Sequence, residues 1–217
     1  WKYRTEDYTG VMLPLGTMGV ALKVPFLGRS YISDKSVNAL LVDTLPGTLL
    51  LAVVSIVMAM IMGIVLGVYS ARHEGSKRDK WILTLSSLGM SAPSFFVAVL
   101  ISWLLAIKWG AYTHLPMNGS LFKVDPWQGK VIAWENMVLP ILTLMIRPLG
   151  VIVQLTRNAI LETMSMDFIR TARAKGLSES TIMWRHALPN SLNPVLTAIS
   201  GWFASLLAGA VFVEFVF

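Results

Sequence analysis

The sequence predicts an all-α protein: a polytopic transmembrane helical bundle that carries a helix-turn-helix element on its cytoplasmic side. Composition is the first observation behind this. The 217 residues are 55% hydrophobic and only 14% charged, with a mean hydropathy of +0.64, whereas a water-soluble domain of this size needs far more surface charge. The second is where the charges fall: none lies between Asp43 and Arg72, and none between Lys80 and Lys108. Each run exceeds the roughly 20 residues that cross ~30 Å of hydrocarbon as a helix. The third is a charge-rich stretch, Met166 to Pro189, lodged between apolar runs and patterned as a helix, a glycine turn and a second helix.

Taken in order, residues 1–45 form an N-terminal region in which Lys2, Arg4, Lys23, Arg29 and Lys35 are offset by Glu6, Asp7, Asp34 and Asp43. A membrane domain follows over 46–217, with spans at about 48–70, 81–107, 136–156 and 190–213. The third span is interrupted by Arg147 alone, and the fourth is uncharged up to Glu214. Barrel strands would instead show ten-residue alternating patterns, and none occurs. The loop 71–80 holds Arg72, Lys77, Arg78 and Lys80, and the loop 157–189 holds Arg157, Arg170, Arg173, Lys175 and Arg185. Both are assigned to the cytoplasm, because positive loops stay inside. The segment 108–135 is less basic and carries Trp109, Tyr112, Trp127 and Trp134, residue types that gather at the membrane interface, so it faces the other compartment. By parity residues 1–45 are external, periplasmic in an inner-membrane protein. An external start implies an earlier span, and the chain stops at Phe217 just after an apolar run, so truncation at both ends is expected.

Several function classes fall away. The net charge of +6 is distributed among loops on opposite sides of a bilayer, which argues for topology and against nucleic acid. There is no cysteine, so disulfides and thiolate metal sites are excluded. His73, His114 and His186 are far apart, with no HExxH spacing. No GxxxxGK[ST] occurs, so any ATP chemistry must reside on another polypeptide. An ion-coupled secondary transporter would carry carboxylates within its spans, and these have none before Glu214. An intramembrane enzyme would need a base beside Ser86, Ser87 or Ser91, and no span contains histidine. Catalytic, cofactor-binding and metal-binding residues are therefore all expected to be absent. Gly63 and Gly67 form a GxxxG pair, which signals close helix packing.

Within the cytoplasmic stretch, Ser165 is placed to cap a helix from about Met166 to Lys175, and Asp167 complements its positive end. Gly176 supplies a left-handed or otherwise strained backbone position, and Ser178, followed by Glu179, is placed to cap a second helix through Ile182, Met183, Trp184 and Leu188. Pro189 and Pro194 are expected to end or kink it. Two readings fit: a solvated connector, or a rigid knob whose Arg170, Arg173 and Lys175 complement a soluble partner.

At these residues the chain resembles the permease subunits of ABC importers, whose cytoplasmic signature is EAA, three residues, glycine, nine residues, then IxLP. Arg170, Thr171 and Ala172 occupy the EAA positions, Gly176 the glycine, and His186, Leu188 and Pro189 the final ones. Arg170, Thr171 and His186 depart from the pattern. RTARAKG in that place is similar to the dipeptide and oligopeptide (nickel) branch of these binding-protein-dependent systems. LGRSY from Leu27, LPGTLLLA from Leu45, GMSAPSFF from Gly89, LPILTL from Leu139 and LTRNAILE from Leu155 extend the likeness over nearly the whole chain.

The resemblance implies a fold of the ABC importer permease type and a partner set: a second permease subunit, homologous or identical, two ABC ATPase subunits and an external solute-binding protein. It implies that Arg170, Thr171, Ala172, Arg173, Ala174, Lys175, Gly176, Leu188 and Pro189 form the contact that couples the permease to an ATPase. ATP and magnesium would sit on those partners, with no cofactor on this chain. The implied activity is import of di- or oligopeptides across the inner membrane, while relatives handling nickel, glutathione or other small solutes leave the cargo open. Within the spans, Pro93, Pro140 and Pro148 permit kinks, whether in a moving pathway or a static one. Arg147 lies ten residues, about 15 Å of rise, before Arg157, near mid-membrane. Three roles stay open for it: lining the pathway, pairing with a partner subunit, or bonding backbone carbonyls. Glu214 either contacts the binding protein or sits at the interface.

Overall fold

A computed structural model describes residues 10–15, 18–23, 27–119, 121–125, 127 and 129–217. The charges Lys2, Arg4, Glu6 and Asp7 lie outside the described residues. The chain divides into two compact units, Trp1–Pro46 and Gly47–Phe217. In the first, β1 (Gly10–Leu15) and β2 (Met18–Lys23) pair antiparallel, Gly10 opposite Lys23.

The second unit is helical apart from one hairpin. Helix α1 (Val37–Arg72) enters it, and α2 (Lys77–Ser91) and α3 (Ser94–Ile101) follow. A π-helical segment, Ser102–Lys108, extends α3 and leads to the short α4 (Gly110–Thr113). Strands β3 (Phe122–Asp125) and β4 (Gly129–Ile132) form the hairpin, and α5 (Trp134–Met164), α6 (Asp167–Ala174), α7 (Glu179–Thr181) and α8 (Leu188–Val216) complete the order. Among the described residues three helices are long and apolar enough to cross a membrane, α1, α5 and the continuous helix Glu179–Val216 that includes α8, and the bent pair Lys77–Ser91 and Ser94–Lys108 makes a fourth if it is one span.

Three layers of buried side chains hold α1, α5 and α8 together. At one end Leu51, Ala52 and Ile56 meet Met137, Ile141 and Leu144, and Leu206, Ala210 and Val213. Ala59, Met145, Ile152 and Val195 fill the middle. The far end joins Val68, Ala71 and Ile160 to Ile169, Ile182 and Ala187. The starts of α1 and α5 therefore share a layer with the end of α8, so α1 and α5 run parallel and α8 returns against them. The predicted GxxxG contact is made on α5: a Cβ on Gly63 would stand 2.6 Å from Ile152, and one on Gly67 2.6 Å from Thr156. Gly150 performs the same service for α2, where the Ser86 carbonyl would lie 2.5 Å from an added Cβ. Small residues let helix backbones approach where packing alone drives association.

The run 81–107, expected as a span in which Pro93 permits a kink, is sharply bent. Its two halves meet at 111°. The cause is Pro93, which has no N–H to continue the ladder and holds Ala92 in an extended conformation (φ −73°, ψ 133°). Helix α2 alone, with 15 residues, is about 22 Å long, short of the ~30 Å core.

Candidate functional site: the elbow between α5 and α8

The elbow is built from local signals. Helix α6 is apolar on one face, burying Ile169 and Ala172 while Arg170, Thr171, Arg173, Ala174 and Lys175 stay exposed. Gly176 sits at φ +75°, its N–H donates to the Arg173 carbonyl (2.9 Å), and the Leu177 N–H reaches back to that of Ala172 (3.3 Å). These paired bonds around a left-handed residue are a Schellman closure, the ordinary use of glycine after a helix. Ser178 then caps the next helix, accepting from the Thr181 N–H at 3.2 Å. Across the turn Arg173 donates to both Glu179 oxygens, at 2.8 and 3.3 Å. The hydrogen bond from Arg173 holds the Glu179 carboxyl below the ordinary carboxylate range.

Two local expectations are corrected. Ser165 does not cap α6; its hydroxyl donates to the Glu162 carbonyl at 2.7 Å, and Met166 occupies the cap position without a side-chain bond. Nor do Pro189 and Pro194 stop the second helix. It widens into a π-helical segment, Ile182–Ala187, where the Leu188 N–H bonds the Met183 carbonyl, and passes directly into α8. A π turn shifts the ladder by one residue and so carries the helix past a proline that has no donor. The elbow's second arm and the last span are one body.

The elbow is also seated firmly. Ile169 and Ile182, both 0% exposed, pack with Val68 and Ala71 from the end of α1 and Ile160 of α5. Ser191 of α8 donates to Thr163 of α5 at 2.9 Å. Leu188 is half-buried and Pro189 exposed. On the outer surface Phe168, Leu177 and Trp184 are exposed beside Arg170, Lys175 and Arg185, an amphipathic face of the kind that enters a groove on another protein. Behind it a cavity of about 420 Å³ opens among Arg72, Glu74, Arg173 and Glu179.

One feature of this region was not foreseen. Asp79, at the start of α2, accepts two hydrogen bonds from Arg157 of α5, together with those from the Ser70 hydroxyl and the Gly75 N–H. Seventy-eight residues separate the pair, and no local pattern signals a contact at that range. Arg147 lies elsewhere, midway along α5, with its guanidinium 5.8 Å from the centre of the Trp202 ring. No group of histidine, cysteine or acidic residues able to hold a metal occurs among the described residues.

Apolar helices in a layered bundle, with a compact charged elbow at the end where the basic loops gather, define a multi-pass membrane protein. The family model for the binding-protein-dependent transport system inner membrane component matches residues 63–217, and the chain belongs to that family. It is 36% identical to the dipeptide transport system permease protein DppB of Bacillus subtilis, over 84% of this chain and 54% of the relative. Against the di/tripeptide transport system permease protein DppB of Pseudomonas aeruginosa it is 33% identical, over 88% of this chain and 61% of the relative. Against the oligopeptide transport system permease protein OppB of Haemophilus influenzae it is 33% identical, over 85% and 56% respectively. The chain thus spans just over half the length of these curated relatives.

Proposed function

We propose that the chain is the membrane-spanning permease part of an ATP-driven importer of di- and oligopeptides, moved by separate ATPase subunits that grip residues 166–189. The observation that carries this is the seating of the elbow: its first arm packs on α1 and α5, and its second arm continues as α8. A push on the exposed face therefore reaches three spanning helices without passing through a flexible joint. Interfaces of packed helices switch between discrete arrangements, which suits alternation between outward-open and inward-open pathways. The names of the relatives support a peptide cargo.

In this reading Arg170, Thr171, Arg173, Ala174, Lys175 and Pro189 meet the ATPase, Ala172 and Leu188 hold the elbow from within, and Gly176 sets its angle. ATP and magnesium belong to the ATPases, and the chain performs no catalysis. A second permease subunit completes the pathway, and an external binding protein delivers solute on the side of the membrane opposite the elbow. Co-purification of the full-length permease with its ATPases tests the docking. Gly176→Pro, which cannot adopt a positive φ, should abolish both co-purification and peptide uptake, and an ATPase still bound after deletion of 166–189 would sink the proposal.

A further inference from the structure

We propose that Arg147 is a binding point for the carboxylate of the transported solute, an inference that rests on the peptide reading above and names the group recognised. The residue stands 13 positions after the first residue of α5 and 10 before Arg157, about 20 Å and 15 Å of helix rise, which is mid-membrane depth. Its Nε is buried and makes no hydrogen bond, and no ion pair to its guanidinium occurs among the described residues. The neighbouring contact is the face of Trp202 at 5.8 Å, which stabilises a cation without neutralising it. A guanidinium in that position needs an anion or water, since an unpaired charge in hydrocarbon costs several kcal/mol.

None of the runs 44–71, 81–107, 136–156 and 187–213 holds an Asp or Glu, so no carboxylate of these four runs neutralises the cation. Trp202, whose ring meets the cation, also borders open space. Trp202 lines a depression of about 290 Å³ with Ala198, Gly201 and Ser205, and nothing lies within 4 Å of where a Gly201 side chain would begin. A guanidinium with an unbonded Nε, stacked on an aromatic ring that borders this depression, suits a small zwitterion presented carboxylate first. Every peptide carries a terminal carboxylate; a divalent metal cation carries none and is repelled here.

The test uses the complete importer, with the full-length permease, ATPases and binding protein in proteoliposomes and dialanine as probe. Arg147→Gln should lower dialanine uptake about tenfold or more, the loss of one charge-assisted hydrogen bond, while ATP hydrolysis stimulated by the binding protein persists. Arg147→Lys, which keeps the charge, should restore most of the uptake, a rescue that a role in packing against Trp202 would not give. Uptake by Arg147→Gln equal to the unaltered protein would overturn the assignment and leave peptide import standing. Loss of ATP stimulation and subunit association in Arg147→Gln would overturn it in favour of a structural role. Failure of the unaltered importer to move any peptide would overturn the peptide reading and this one with it.

Discussion

Arg157 and Asp79 form a two-pronged ion pair, Nε to Oδ1 at 2.7 Å and Nη2 to Oδ2 at 2.8 Å, that fastens the start of α2 to the elbow end of α5. The Asp79 side chain is 2% exposed and that of Arg157 15%, and the remaining acceptor capacity of the carboxylate is taken by Ser70 and Gly75. A buried pair of this kind is worth little against a well-packed apolar substitute, yet removing one member strands a charge. Asp79→Ala should therefore destabilise the protein by about 3–5 kcal/mol, and the double variant Asp79→Leu with Arg157→Met should recover much of that loss. Denaturant melts of the purified variants in detergent check both; a loss in the double variant as large as the sum of the two single losses would show that the charges act independently.

At the elbow the constraint is conformational and not electrostatic. Gly176 has nothing within 4 Å of a built Cβ, so a substitution there meets no clash and only the backbone at φ +75° resists it. Gly176→Ala should cost about 1–2 kcal/mol, the penalty of a side chain in the left-handed region. Gly176→Asn should cost less, because asparagine tolerates that region. The ordering of the two variants is the diagnostic result, read from thermal unfolding: a larger loss for asparagine would point to sterics that the open surroundings do not provide.

The spans and the elbow were legible for different reasons. Charge-free runs longer than a bilayer is thick announce themselves in Leu45 to Ser70 without any knowledge of partners, and Gly176 with Ser178 encode a turn within a few residues. What escaped was set by longer-range or cumulative geometry. Pro93 permits a kink, but no local pattern gives its size, and the flanking helices meet at 111°. Pro189 read as a helix stop, because a shifted ladder such as that of Ile182–Ala187 has no simple sequence signature. Ser165 lost its capping role to an ordinary back-bond onto Glu162, an option open to any serine at a helix end.

Packing between α1 and α5 gives a prediction with an internal control. A Cβ on Gly67 would approach the Thr156 Cβ to 2.6 Å and the Val153 carbonyl to 2.9 Å, whereas one on Gly201 meets nothing within 4 Å. Gly67→Ala should force the helices apart at a cost of about 1–3 kcal/mol. Gly201→Ala, by contrast, should leave unfolding unchanged or raise it by up to about 1 kcal/mol through better helix propensity. Parallel melts of the two alanine variants are sufficient, and similar behaviour of both would contradict the tight α1–α5 contact.

Transmission from elbow to membrane should depend on the side chains that seat it, and Ile169 is the most direct of these. It is fully buried against the layer that contains Val68, Ile160 and Ile182, while the exposed face of α6 that would meet an ATPase does not include it. Ile169→Ala leaves that outer face intact and opens a cavity beneath it, at a cost of about 2–5 kcal/mol in stability. If the elbow acts as a lever, the variant should still bind the ATPases, and its ATP turnover should remain, while peptide uptake per ATP hydrolysed falls, because the stroke is absorbed in a loosened joint. Measuring uptake and ATP hydrolysis on the same proteoliposomes separates this from a simple loss of folded protein, which would lower both in proportion. A proportional fall would mean that the α6 core maintains the fold without transmitting force, and the lever would have to run through the continuous helix from Glu179 to Val216 instead.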